Sequence, residues 1–554
     1  MAGRVRIDNT HSEYEGKLYA SSSNTLTDGS TQGHYTVNNG QYSQTYADVL
    51  VNINKRIQDF TIVANIGASY SGVTSKELGY AGPIRETGIP NLFNVYDLDN
   101  AKKRATQVGW REATESVFAS AEVGWKSMLY LTVTGRNDWA SQLTHSPQAS
   151  FFYPSVGLSA VITEMLKLPD WVDYLKVRGS FSSVGNPYPR FLTYPTYSYD
   201  ANKQDWKSQT NYPIGKLYPE RTDSWEVGLD ATLFKDFKLS GSFYYANTYN
   251  QTFDPRLPVS SGYDKLYVQT GYVRNYGFEA MLSYGHRWGD FSWDSSFTFS
   301  ANKNEIVELV NDYVHPETGK TYNVDKLELK TDEGRGFGKA KFILKEGGTL
   351  GDLYTHADLK RDINGNVLID DSGNVTAIDN AGDIKLGSVL PKANLAWNNS
   401  FSYKGINAGF LLTARLGGIV YSATQAYLDL YGVSETSAAA RDAGGVWVNG
   451  RSRVNPQSFY EVVASQSGLP TYYTYSATNL RLQEAHIGYT VPRRWLGNVC
   501  DINVSLVGRN LWMIYCKAPF DPEAVATTNN YYQGIDYFMM PSTRNIGFNI
   551  KINF

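Results

Sequence analysis

The stretch Ile546 to Phe554 (IGFNIKINF) closes the chain and alternates without a break. Ile546, Phe548, Ile550, Ile552 and Phe554 share one face, and Gly547, Asn549, Lys551 and Asn553 share the other. Successive side chains of a strand point to opposite faces, so this is a β-strand with one greasy and one wet side. At about 3.3 Å per residue it reaches roughly 30 Å, and when tilted it covers the roughly 25 Å apolar band of a transmembrane β-barrel. An edge strand this apolar invites aggregation in a soluble protein. A bacterial outer-membrane barrel instead needs such a strand, ending on an aromatic, to close against its first one. The expectation is therefore an all-β fold, a transmembrane antiparallel up-and-down β-barrel.

Composition agrees and removes rivals. Within 554 residues there are 41 Tyr, 12 Trp and 24 Phe, yet mean hydropathy is only −0.38. No apolar run approaches the ~18 residues of a membrane helix. Abundant aromatics without such helices suit a barrel with a polar lumen, an apolar lipid face and aromatic girdles at both interfaces. A net charge of −3 offers no basic field for nucleic acid. Cys500 and Cys516 fall at opposite ends of one expected strand, roughly 50 Å apart if extended, and cannot bridge without breaking it. The first residues, MAGRVRIDNTHSEYEG, contain no apolar export signal, so the chain is expected to be a fragment of an outer-membrane protein.

Period-two alternation recurs in about sixteen segments. Phe291, Trp293, Phe297 and Phe299 oppose Ser292, Asp294, Ser296, Thr298 and Ser300. Val227, Leu229, Ala231 and Leu233 oppose Glu226, Asp230 and Thr232, and Leu239, Phe243 and Tyr245 oppose Ser240, Ser242 and Tyr244. Tight turns are expected near 58–59, 126–127, 235–236, 288–290 and 404–405, with longer ones at 164–173 and 492–498. Between them lie long links near 73–109, 186–220, 253–270, 305–390, 422–476 and 516–541. Short periplasmic turns and long extracellular loops produce this rhythm in an up-and-down barrel. A soluble β-sandwich does not confine its longer connections to one end.

Eight segments in order resemble the SusC/RagA-type TonB-linked outer-membrane proteins of Bacteroidetes. They are TGRNDWAS (Thr134 to Ser141), FFYPSVGLS (Phe151 to Ser159), LKVRGSFSSVGN (Leu175 to Asn186), PERTDSWEVGLD (Pro219 to Asp230), NYGFEAMLSY (Asn275 to Tyr284), NLRLQEAHIGYTVP (Asn479 to Pro492), GRNLWMIY (Gly508 to Tyr515) and PSTRNIGFNIKINF (Pro541 to Phe554). The resemblance implies about sixteen strands of a 22-stranded barrel, with the N-terminal plug domain and about the first six strands having no counterpart here. It also implies an importer of glycans or peptides in the bacterial outer membrane, capped by a SusD-like surface lipoprotein. TonB would act through the absent plug part. On this reading residues 1–554 are the C-terminal part of the barrel, and the strand ending at Phe554 should pair with the first strand of the full protein.

Candidate ligand contacts are aromatic, because sugar rings and peptides both pack apolar faces on Tyr and Trp. The long links supply Trp206, Tyr212, Tyr218, Tyr431, Trp447, Tyr460, Tyr472, Tyr473, Tyr475, Tyr531, Tyr532 and Tyr537. Girdle and loop-packing roles compete for every one of them. Arg441, Arg451 and Arg453 are candidates for an anionic ligand or for the lipoprotein. Asp362, Asn364, Asn366, the Leu368 carbonyl and Asp370 follow the spacing of a calcium loop. Val367 replaces the usual glycine and Gly373 the usual bidentate Glu, so calcium is expected to bind weakly against the competing reading of an Asn-Gly hairpin turn. No nucleophile, metalloprotease, P-loop or dinucleotide motif occurs, and the chain is not expected to be an enzyme. Two rivals stand beside the importer: a passive porin, and a soluble glycan-binding or glycan-cleaving β-protein.

Overall fold

The computed structural model describes residues 1–554 apart from 193–196, 201–204, 208–210, 213–216, 254–261, 264, 315–318, 320, 330–338, 498, 527–532 and 554. Sixteen strands form one sheet whose spatial order is their chain order. They are β1 (Ala2–Leu18), β2 (His34–Ile57), β3 (Phe60–Pro83), β4 (Arg104–Trp125), β5 (Leu129–Ala140), β6 (Ser150–Val161), β7 (Val172–Asn186) and β8 (Glu220–Leu233). They continue with β9 (Phe237–Phe253), β10 (Val268–Trp288), β11 (Phe291–Glu308), β12 (Ala393–Tyr403), β13 (Ile406–Leu416), β14 (Asn479–Val491), β15 (Asp501–Cys516) and β16 (Asn545–Asn553). Sequential neighbours running antiparallel are the up-and-down arrangement expected from the alternation of tight and long connections. Several tight turns place residues in the left-handed region. Lys404 and Gly405 (φ 47° and 89°) form a two-residue turn with both φ positive, whose twist matches that of the flanking strands.

The chain divides into two compact units: Met1–Leu158 with Phe181–Thr222 and Thr252–Gln269, and Ser159–Ser180 with Asp223–Gln251 and Thr270–Phe554. In the first, the two faces of the sheet carry different chemistry. Val49, Val51, Ile66, Val117, Leu131 and Val133 share an exposed apolar face, bounded by Phe60 and Trp125 near the tight turns and by Tyr70 and Trp139 further along. Phe60 and Tyr70 are about ten residues apart, which in a tilted strand spans roughly 25 Å, the height of a bilayer band. The opposite face is polar and internally paired: Arg4 with Asp48, Asn65 with Ser120, and Arg136 with Asp138 and Ser116, while the Tyr153 hydroxyl donates to Asp138. β2 and β3 stay in unbroken register for 24 residues, far beyond that band.

The second unit repeats the pattern. Leu282, Phe297, Trp397, Ile487, Leu506, Phe548 and Ile550 are exposed on its apolar face. β16 pairs apolar residues with apolar: Phe548 opposite Leu506, Ile550 opposite Val504, Ile552 opposite Ile502. The terminal Phe554 lies outside the described residues. Toward the tight turns, ring contacts run from Trp171 through Phe234, Phe237, Tyr284, Trp288 and Phe291, and from Tyr284 through Trp293 to Phe401 and Phe410. Ser295 and Asn399 stand opposite each other on this apolar face. The Asn399 oxygen and the Ser295 hydroxyl each accept from an indole on the other's strand: Trp293 Nε1 donates to Asn399 Oδ1 and Trp397 Nε1 to Ser295 Oγ, both at 3.0 Å, while Asn399 Nδ2 is buried without a partner. Trp293→Phe strands the buried Asn399 oxygen and is expected to lower stability by about 1–3 kcal/mol. Gel migration after stepwise heating in detergent measures this, and an unshifted transition sinks the account.

The links after β11, β13 and β15 differ from the loop reading. They fold together around one core that includes Phe342, Leu353, Tyr421, Phe459, Val463, Leu469, Tyr473 and Ile535. A four-stranded sheet (Lys326–Leu329, Ala340–Lys345, Asp352–Thr355, Ile384–Ser388) and a three-stranded one (Thr474–Ser476, Ile419–Ser422, Ile535–Asp536) contribute to it. So do helices Ala423–Leu430, Glu435–Asp442 and Pro456–Val463. Each helix starts at a residue that captures an otherwise unpaired N–H: Ser422 Oγ accepts from Gln425, Ser434 Oγ from Ser437, and Asn455 Oδ1 from Gln457. Pro456 follows Asn455 at the first helical position, where its fixed φ fits and its missing N–H costs nothing. Cys500 precedes β15 and Cys516 ends it, and both are free.

Candidate functional site

Two places in the second unit carry exposed chemistry. One is a cavity of about 730 Å³ on the polar face of the sheet, lined by Glu279, Ser300, Asn394, Thr413, Arg415 and Gln483 among others. Strand alternation puts them there: the face opposite Phe297 and Trp397 is supplied by hydroxyls, amides and charges. Arg178 also reaches the cavity, with Nη1 2.7 Å from Asp230 and Nη2 3.5 Å from Glu226. Glu523, also in the cavity lining, lies 3.2 Å from Arg481, which donates to both oxygens of Asp521 at 2.8 and 3.2 Å.

The other place is the surface of the folded links, where the structure separates the aromatic candidates. Tyr431, at the end of the first helix, is 75% exposed. Trp447 is 56% exposed, on a hairpin (Val446–Val448 with Ser452–Val454) where the Arg453 guanidinium stands 4.6 Å from its ring centre. Tyr460 and Tyr473 point into the core instead. The Tyr473 hydroxyl donates to the buried Asp429, 3.0 Å away, which also accepts from Gln425 and Ser434. Burial first, and then the Asp429 charge, push the Tyr473 hydroxyl well above its ordinary range. Tyr475 is half-buried edge-on to Phe520, and burial with the Asp429 charge pushes its hydroxyl up to about 12. Tyr472 packs edge-on against Phe459, and Tyr537 against Tyr427 and Phe538. Arg441 donates to Gly432 O, and the Arg451 backbone closes the tip of the Trp447 hairpin by donating to Val448 O.

In the first unit, Trp206 is exposed on the hairpin Ser198–Asp200 with Asp205–Lys207, edge-on to Tyr199 at 5.3 Å. Tyr199 was not among the sequence candidates, although its hairpin partner was. Tyr218 is exposed, its backbone held on both sides by the Gln269 amide. Tyr212 lies in a two-residue strand parallel to Lys265–Leu266. Tyr531 and Tyr532 lie outside the described residues.

The calcium-like stretch forms two successive hairpin turns of the same design. Asp362 Oδ1 accepts from the backbones of Asn364 and Asn366, and Asp370 Oδ1 from those of Ser372 and Asn374. Gly365 (φ 84°) and Gly373 (φ 79°) take the left-handed position each turn requires. Hydrogen bonds from the Asn366 side chain and backbone hold the Asp362 carboxyl below its ordinary value. These carboxylates accept from turn N–H groups, and Leu368 donates its own N–H to Lys360 O. The Asn449 side chain clamps the stretch, accepting from Val367 N and donating to Val367 O at 2.9 and 2.8 Å.

A family model described as TonB dependent receptor-like, beta-barrel matches residues 4–511. TonB-dependent receptor P3 of Formosa agariphila is 24% identical over 524 residues, which are 88% of this chain and 50% of that protein. TonB-dependent receptor SusC of Bacteroides thetaiotaomicron is 24% identical over 433 residues, 72% of this chain and 40% of its own length. The chain thus spans about half the length of the curated relatives it matches. Among solved structures, that of the RagAB peptide transporter superposes on 100% of this chain and 60% of its own with a TM-score of 0.76 at 17% identity, a likeness of fold.

Proposed function

The chain belongs to the TonB dependent receptor-like β-barrel family, with a barrel of the SusC/RagA type, and from that premise we propose that it forms the wall and outer mouth of an outer-membrane importer. Its cargo is glycan or peptide, its energy comes from TonB, and a SusD-like lipoprotein sits over the mouth in a Bacteroidetes-type cell. The observation that carries this reading is the sixteen-strand sheet with chemically distinct faces. Its apolar face, edged by aromatic rows, suits lipid, while the other is a set of paired charges and hydroxyls suited to water and polar cargo.

Cells that carry the complete protein are expected to take up labelled oligosaccharide or oligopeptide only while the proton gradient persists. Uptake that survives a protonophore unchanged would overturn the energised reading in favour of a passive pore. Trp447 is an exposed candidate aromatic with a cation already stacked on it, and Trp447→Ala is expected to weaken cargo binding by about 1 kcal/mol, roughly fivefold. Equal affinities of variant and parent in a calorimetric titration would remove Trp447 from the site.

A further inference from the structure

Glu279, Ser300, Asn394 and Arg415 stand opposite one another on β10, β11, β12 and β13, so that they form a single row, and all four line the 730 Å³ cavity. The ends of the row are oppositely charged, and neither has an ion-pair partner among the described residues. Other charges at the cavity do: Arg178 is held by Asp230 and Glu226, and Glu523 by Arg481. Arg415 makes one hydrogen bond, from Nη2 to Val389 O at 2.7 Å, and its Nε has no partner. Glu279 is open to the cavity.

Three strand spacings of about 4.8 Å put the two ends of the row about 14 Å apart at Cα, too far for the pair to satisfy itself. A ligand with a carboxylate at one end and an ammonium at the other satisfies both through charge-assisted hydrogen bonds, the guanidinium offering a carboxylate its planar fork. An extended peptide of two or three residues is about 7–10 Å long, short enough to lie between two side chains that both line the cavity. Ser300 and Asn394, midway, match the donors and acceptors of the amides between. A neutral glycan offers hydroxyl hydrogen bonds but no opposite charge to either end.

We propose that this row recognises short peptides with free termini: Arg415 takes the carboxylate, Glu279 the ammonium, and Ser300 and Asn394 the backbone amides. This rests on the importer reading and narrows its cargo to peptide. The test is calorimetric titration of the full chain in detergent with trialanine, its N-acetyl form, its C-terminal amide and maltotriose. Trialanine is expected to bind, each singly blocked form at least tenfold more weakly, and maltotriose not to compete. Glu279→Gln should erase the difference between free and acetylated peptide alone, and Arg415→Gln the difference between free acid and amide alone.

Equal binding of free and blocked peptides, or displacement by maltotriose, overturns the proposal. So does a uniform loss against all peptides in both variants. Selectivity for the carboxylate alone overturns the ammonium half and leaves an anion site. The ligand series on the unaltered chain decides the matter even if a variant fails to fold. Gradient-dependent uptake without peptide selectivity would sink the row and leave the importer standing; selective binding without energised uptake would do the reverse.

Discussion

Arg481→Met is expected to destabilise the link after β15 by about 3–5 kcal/mol, the cost of leaving a buried carboxylate without its partner. The Arg481 side chain is 5% exposed and that of Asp521 9%, and two nearly parallel hydrogen bonds join them. Water therefore cannot replace the guanidinium when it is removed. Burial acts to raise the Asp521 carboxyl, but the Arg481 hydrogen bond and charge prevail and hold it below its ordinary value. A carboxyl whose folded pKa is depressed contributes stability above its unfolded pKa of about 3.9, and that contribution is lost as pH falls through the folded value. In the variant the Arg481 contributions are gone, burial is opposed only by the hydrogen bonds from the Glu523 backbone and Ser542, and Asp521 takes up its proton at higher pH than in the parent. The penalty should thus be largest at pH 7 and shrink toward pH 4. Arg481→Met combined with Asp521→Leu should recover much of the loss, because no charge is then stranded. Limited proteolysis between Cys516 and Asn545, followed against pH, measures all three; a penalty independent of pH would mean that lost packing, not a stranded charge, is responsible.

The membrane-facing part of the fold was legible because lipid and water impose opposite demands on alternate residues. Phe291, Trp293 and Phe297 against Ser292, Asp294 and Ser296 allow one register and one orientation. Beyond Tyr70 that contrast disappears. β3 continues from Ser71 to Pro83 with polar and small residues on both faces and only Val73, Leu78 and Tyr80 scattered among them, so its outer half read as part of a long link near 73–109 although the pairing with β2 never breaks. Alternation reports the solvent on each face, and with water on both sides it has nothing to report.

The folded links had signals of another kind. Ser422, Ser434 and the pair Asn455-Pro456 are helix starts readable from residue type, and weighing them would have found three helices in 422–476. The aromatic candidates were harder. Trp447 stands between Val446 and Val448 and Tyr473 between Tyr472 and Thr474, contexts that separate neither as core or surface, yet one is exposed and the other is 2% exposed with its hydroxyl on Asp429. What separates them is contact with residues more than forty positions away, which no local pattern encodes. The row from Glu279 to Arg415 is a product of register across four strands and was equally hidden, although Ser300 already stood on a face read as polar.

Phe342→Ala tests whether the folded links are a body with their own cohesion. Phe342 is 1% exposed, in a core shared with Leu353, Tyr421, Phe459 and Val463. Truncation to Ala removes its transfer free energy and leaves a cavity that a close-packed core only partly fills, a loss of about 3–5 kcal/mol. A body of this size has a small margin of stability, so that loss is expected to open it at ordinary temperature. The sheet is held differently, by ladder hydrogen bonds and by apolar residues whose partner is lipid rather than one another. The two should therefore separate under mild challenge. Protease is expected to cut the variant within 340–390 and 419–476 at a concentration that leaves the parent whole, while its gel migration on heating in detergent stays that of the parent. If the migration transition fell along with protease resistance, the links and the second unit's strands would be one cooperative structure. The surface at Trp447 that we propose for cargo, carried on the same core, would then owe its rigidity to the sheet rather than to its own packing.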